Sequence, residues 1–190
     1  MVQISTDYVF DGTAHTPYTE ELTTCPNSVY GRTKREGELA VMQANPRHII
    51  IRTAWLYSTF GNNFVKTMLR LGREKESLGV IFDQVGTPTY AGDLASAIMA
   101  AITAGCVPGI YHFSNEGVTS WYDFTVAIHR LAGITSCSVR PLHTSEYPTP
   151  AARPHYSVLD KTKIKQTFGI TIPHWEESLA KVVAALSAQA

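Results

Sequence analysis

Ile49-Ile50-Ile51 constrains this chain more than any other run: with no alternation of inward and outward residues, a strand built on it must be covered on both faces. Parallel sheets flanked by helices supply that cover. Residues 29–44 read as a helix stopped by Asn45-Pro46, with Gly37, Ala40, Val41 and Ala44 on one face. Upstream, residues 2–10 mix β-branched and aromatic side chains and end at Asp11-Gly12, a strand followed by a turn. The opening unit is strand, helix, strand, joined by an ordered loop over 13–28. An α/β protein is expected.

The pattern continues. A helix is predicted over 63–76, where Phe64, Met68 and Leu71 recur at helical spacing, and a short strand over 79–83. Gly86 and Pro88 mark 84–90 as a loop. Asp93 opens a third helix with Leu94, Ile98, Ala101 and Ile102 inward, closed by Gly105 and Pro108-Gly109 ahead of a strand over 109–114. Beyond Asn115 come a helix over 120–131, a strand over 135–142, a proline-bearing stretch to 154, and helices over 161–168 and 175–186. Trp121, Phe124 and Trp175 lie on helical apolar stripes and read as core packing.

Charge and cysteine content remove several functions. Sixteen basic residues balance sixteen acidic ones, so the chain lacks the basic excess that nucleic acid or an anionic membrane selects for. Small-molecule or protein partners are favoured. Three widely spaced cysteines, without Cys-x-x-Cys, indicate neither a disulfide framework nor a metal site. No run approaches the ~18 apolar residues that span a bilayer, and a cytoplasmic location is expected.

Tyr30 and Lys34 carry the chemistry. One helical turn apart, they share a face at the start of the first helix, with Ser5-Thr6 in the strand before it and Thr53-Ala54-Trp55 ending the strand after it. These segments converge at the carboxyl edge of a sheet, where open α/β folds bind ligands. The trio suits reduction of a ketone. As hydride reaches the carbonyl carbon, Tyr30 donates a proton to the oxygen, the Lys34 ammonium favours release of that proton, and Thr6 donates a hydrogen bond to the same atom.

The motifs carry a resemblance over essentially the whole chain. Ile-Ser-Thr-Asp-Tyr-Val-Phe-Asp-Gly (4–12), Tyr-Gly-Arg-Thr-Lys (30–34), Ile-Arg-Thr-Ala-Trp-Leu-Tyr (51–57), Gly-Asn-Asn-Phe-Val (61–65), Asp-Gln-Val-Gly-Thr-Pro-Thr (83–89) and Ala-Arg-Pro-x-x-Ser (152–157) resemble, in order, the dTDP-4-dehydrorhamnose reductases. These are extended members of the short-chain dehydrogenase/reductase superfamily. The resemblance implies Thr6, Tyr30 and Lys34 as catalytic residues. It places Ser5, Tyr30, Lys34, Thr53 and Ala54 at the nicotinamide end of NADPH, or of NADH. Tyr8, Trp55, Asn63, Gln84, Thr89 and Arg153 fall on motifs around the sugar nucleotide, with Arg153 suited to its diphosphate.

The implied architecture is an incomplete Rossmann-like parallel sheet (1–58 and 92–116) with a smaller α/β substrate-binding lobe (59–91 and 117–190). The implied reaction is NADPH-dependent reduction of dTDP-4-dehydro-L-rhamnose to dTDP-L-rhamnose. A homodimer is among the assemblies the resemblance allows, and no metal ligand is assigned. Absence of a Gly-x-Gly-x-x-Gly turn, with ~30 residues per βαβ unit, leads to the expectation that the chain is the carboxyl-terminal two thirds of such an enzyme. Two alternatives stay open: an epimerase or dehydratase using the same Tyr and Lys, and a non-catalytic reductase-like regulatory subunit.

Overall fold

The structure, a computed structural model, describes residues 1–149 and 153–188. Strand β1 (Val2–Thr6) enters a 3-10 turn (Asp7–Val9), and α1 (Val29–Ala44), β2 (Ile49–Thr53) and β3 (Leu56–Tyr57) follow. Next come α2 (Phe64–Glu74), β4 (Ser77–Ile81), β5 (Val85–Gly86), β6 (Thr89–Tyr90), α3 (Ala91–Thr103), β7 (Gly109–His112) and β8 (Thr119–Ser120). The chain ends with α4 (Trp121–Leu131), β9 (Ser138–Leu142), α5 (Thr162–Phe168) and α6 (Trp175–Ser187).

β1, β2 and β7 form a parallel sheet with β2 in the centre, Thr6 opposite Thr53. Ile49, Ile50 and Ile51 are all buried, as their unbroken apolar run requires. Ile49 and Ile51 pack with Leu94, Ala97 and Ala101 of α3 and with Tyr111 and Phe113. A second core joins α2, α4 and α6 to β4 through Val65, Leu69, Phe124, Ile128, Trp175 and Leu179. β4 and β9 pair in parallel beside it.

Several expectations shift. The stretch 84–90 holds two short strands: β5 pairs antiparallel with β8, and β6 parallel with β3. Ile164, Phe168 and Ile172, from the stretch expected in the smaller lobe, pack into the core of the three-stranded sheet, because the apolar face of α5 lies against β7. Ile102, expected inward, is exposed, and Ala97 takes its place in the core.

The buried face of α1 is also different: it carries Gly31 and Glu38, while Ala40 and Ala44 are exposed. Ser28 caps the helix by accepting from the Gly31 N–H. Gly31 lies against the turn after β1, where an added Cβ would sit 2.2 Å from the Tyr8 carbonyl oxygen. Only glycine lets α1 approach this closely, and that approach brings Tyr30 to the end of β1. Gly31→Ala is expected to destabilise the protein by about 1–3 kcal/mol through overpacking against backbone. Urea denaturation reads this directly, and an unchanged midpoint would refute the close approach.

Candidate active site

A cleft of about 550 Å³ opens where the carboxyl ends of β1 and β2 meet the first turn of α1. Ser5, Thr6, Asp7 and Tyr8 line one side, Thr53, Ala54 and Trp55 another, and Tyr30, Lys34 and Arg153 complete it. Nine of the residues singled out from sequence therefore line one cleft. Tyr30 is 53% exposed, its ring edge-on to Tyr8 at 5.7 Å. Lys34 Nζ donates to the Ile4 carbonyl at 2.6 Å, which fixes the ammonium beside β1 and leaves it two further protons.

Thr6 caps the 3-10 turn. Its Oγ1 accepts from the Tyr8 N–H at 3.3 Å and donates to Asp7 Oδ1 at 2.8 Å. Burial, with the Asp7 charge second, pushes the Tyr8 phenol above its ordinary range. Ser5 donates to Glu38 Oε1 at 2.6 Å, so its hydroxyl proton is engaged inside the protein. Thr53 donates to Thr89 Oγ1 at 3.3 Å.

Trp55 adopts φ of +48°, an unusual conformation for a bulky residue. It is held by a face-to-face stack on Trp121 at 3.5 Å and by the Thr89 N–H, which donates to its carbonyl at 3.1 Å. Gly86 gives the ring room, since a Cβ there would lie 2.7 Å from it.

Asn63, Gln84 and Thr89 do not line the cleft. Asn63 caps α2, accepting from the Lys66 N–H, and donates to the Ser58 carbonyl. Gln84 is buried and donates to Thr144, and Thr89 is buried behind Thr53. Their polar atoms support the walls. Arg153 is exposed and forms no ion pair among the described residues. It also borders a second groove of about 400 Å³, whose lining includes Phe64, Met68, Leu71, Ile81, Trp121 and Tyr147.

Sequence reasoning passed over two features. Trp121 does more than pack, since it joins the cleft's Trp55 to this groove. Asp7 is only 4% exposed, and burial raises its carboxyl to about 7, against the opposing Thr6 hydrogen bond. Its place in Ser-Thr-Asp at a strand end was the available signal. A carboxyl whose folded pKa is raised stabilises the fold below the unfolded value near 3.8, and that stability is lost as pH rises toward about 7. The stability advantage of Asp7→Asn over the parent is therefore expected to grow from pH ~4 to ~7 and then level off. Denaturation of both proteins across that range checks the sign.

Parallel strands ending in a shared cleft, with the helix between them supplying tyrosine and lysine, define a Rossmann-like α/β fold of the reductase kind. The family model described as RmlD substrate binding domain matches residues 1–188, and the chain belongs to that family. It is 46% identical to the dTDP-4-dehydrorhamnose reductase of Sinorhizobium fredii, over 98% of this chain and 66% of that protein.

Two solved structures superpose closely. A dTDP-4-dehydrorhamnose reductase from Clostridium acetobutylicum gives a TM-score of 0.94 at 49% identity, covering 98% of this chain and 65% of that one. The dTDP-4-dehydrorhamnose reductase of Bacillus anthracis, in complex with NADP, gives 0.93 at 40% identity, covering 97% and 65%. The chain thus spans just under two thirds of the length of these relatives. Among the described residues, no helix is long and apolar enough to cross a membrane.

Proposed function

We propose that this chain supplies the proton-delivering and substrate-binding part of a reductase that converts dTDP-4-dehydro-L-rhamnose to dTDP-L-rhamnose with NADPH. The observation that carries the reading is the convergence of Thr6, Tyr30 and Lys34 on one cleft with Arg153, which has no ion pair among the described residues, at its border. Relatives named for this activity agree with it in sequence and shape.

The residues present fit a nicotinamide cofactor. Lys34 keeps two protons for ribose hydroxyls, and the Thr53-Ala54 wall offers a shallow surface beside it. When bound, NADPH supplies the hydride, and NADH is an alternative donor. Tyr30 then delivers its proton to the sugar O4, while the Lys34 ammonium favours the phenolate left behind. The Thr6 hydroxyl stabilises charge developing on that oxygen.

Arg153 suits the diphosphate because a guanidinium pairs with phosphate oxygens bidentately. The groove it borders is aromatic and apolar, suited to the thymidine end. Tyr8 and Trp55 flank the sugar between them. The reading includes a cytoplasmic location, where the free thiols of Cys25, Cys106 and Cys137 stay reduced.

The test is turnover of the full-length protein with the keto sugar nucleotide and NADPH. One nicotinamide oxidised per dTDP-L-rhamnose formed supports the reading. A rearranged sugar nucleotide without net nicotinamide oxidation would mark an epimerase or dehydratase, and no product at all a regulatory subunit.

A further inference from the structure

The Thr6 hydroxyl has one proton, and Asp7 Oδ1 holds it at 2.8 Å. The remaining capacity of Thr6 Oγ1 is that of an acceptor, and it already receives the Tyr8 N–H. In this arrangement Thr6 has no proton to offer a substrate oxygen. Whether it can release that proton depends on the group that holds it.

Asp7 is buried, forms no ion pair among the described residues, and its Oδ2 has no hydrogen-bond partner. The Ser157 hydroxyl lies close by, its bond to the Val85 carbonyl at 3.4 Å is weak, and it can donate to the Asp7 carboxylate or accept from the neutral carboxyl. A proton on Oδ2 would have Ser157 as its acceptor, and a proton on Oδ1 would have Thr6. Either placement weakens the pull on the Thr6 proton, because a carboxylate accepts about twice as strongly as a neutral carboxyl.

We propose that Asp7 is a positioning residue for Thr6: the neutral carboxyl frees the Thr6 hydroxyl to donate into the cleft, and the ionised carboxylate captures it. This rests on the reductase reading for its kinetic consequence but not for its structural one. The titratable groups around the same cleft are Tyr8 on the turn, Tyr30 and Lys34 on α1, and Arg153 on the segment opposite. Burial raises the carboxyl and prevails over the hydrogen bonds of Thr6, Ser157 and the backbone, which favour the carboxylate, placing the transition near neutrality. Carboxyl ionisation then falls within the working range of an enzyme.

Two measurements on the full-length protein test this. First, the carboxyl carbon of Asp7, followed by carbon-13 NMR without cofactor or substrate, should titrate between pH ~6 and ~8, and the signal of the Thr6 side chain should move with it. Titration below pH 5, or a Thr6 signal indifferent to it, overturns the proposal whatever the enzyme's activity.

Second, kcat/KM of the parent should fall about tenfold or more from pH 6 to 8.5. Asp7→Asn carries a permanently neutral acceptor, and its profile, normalised to its own pH 6 value, should be flat within about twofold over that range. Thr6→Ala should be slower throughout and flat as well, because the effect passes through Thr6. An Asp7→Asn or Thr6→Ala profile that keeps the parent's decline assigns the ionisation elsewhere. If the NMR behaviour holds and no reduction occurs in any variant, the reductase reading fails while the Asp7–Thr6 coupling stands.

Discussion

Replacing Tyr30 with phenylalanine is expected to lower turnover of the keto sugar nucleotide by about 10²–10⁴-fold, while its dissociation constant changes less than about threefold. The substitution removes one hydroxyl from an exposed ring and leaves the ring itself, still edge-on to Tyr8. Lys34 keeps its anchor on the Ile4 carbonyl, and the cleft keeps its shape. What disappears is the proton donor to O4, so kcat and kcat/KM should fall together, the signature of an interaction made only in the transition state. Single-turnover kinetics and equilibrium binding separate the two effects. Undiminished turnover would remove Tyr30 from the mechanism.

Arg52→Met is expected to destabilise the protein by about 3–5 kcal/mol. Arg52 and Glu38 are almost wholly buried and meet in two parallel hydrogen bonds of 2.8 Å, Nε to Oε1 and Nη2 to Oε2. Burial alone would raise the Glu38 carboxyl, but Arg52, Ser5 and Arg35 outweigh it and hold the group below its ordinary range. Its contribution to stability is therefore present above the unfolded carboxylate value and lost as pH falls through the folded one. Arg52 also lies over the Phe10 ring and 3.4 Å from His112 Nε2. His112 stays neutral, lowered to about 3 by burial and by that cation, and its Nδ1 donates to the Tyr18 carbonyl.

Removing Arg52 leaves Glu38 facing Arg35, a partly exposed cation, in a dry interior. Replacing both partners, Glu38→Leu with Arg52→Met, should recover most of the loss, because paired apolar side chains no longer require desolvated charge to be satisfied. Chemical denaturation of the single and double variants decides it. A single variant within about 1 kcal/mol of the parent would show that the pair is solvated in solution.

This pair also shows where the sequence stopped being legible. The Ile49–Ile51 run announced a doubly covered strand, and the caps and prolines announced the ends of most helices, because both signals are local. The buried face of α1 was misread, since its smallest apolar residues suggested one stripe while an ion pair chose another. A glutamate one turn beyond Lys34 reads as solvated until the arginine it meets is known, and that arginine is 14 residues away. Asp7 was hidden for the same reason: burial of a carboxyl is a property of the packed fold. Tyr30, Lys34 and Thr6 were readable because a short motif fixes both their types and their spacing. Asn63, Gln84 and Thr89 belong to motifs as well, yet motif membership does not separate a residue that meets ligand from one that holds the wall.

The most direct test of the account is the crystal structure of the full-length protein with oxidised cofactor and dTDP-L-rhamnose. Tyr30 Oη and Thr6 Oγ1 should both lie within about 3.2 Å of the rhamnose O4, with Lys34 on the ribose and Arg153 on the diphosphate. A sugar bound with O4 out of reach of Tyr30 would contradict the central claim.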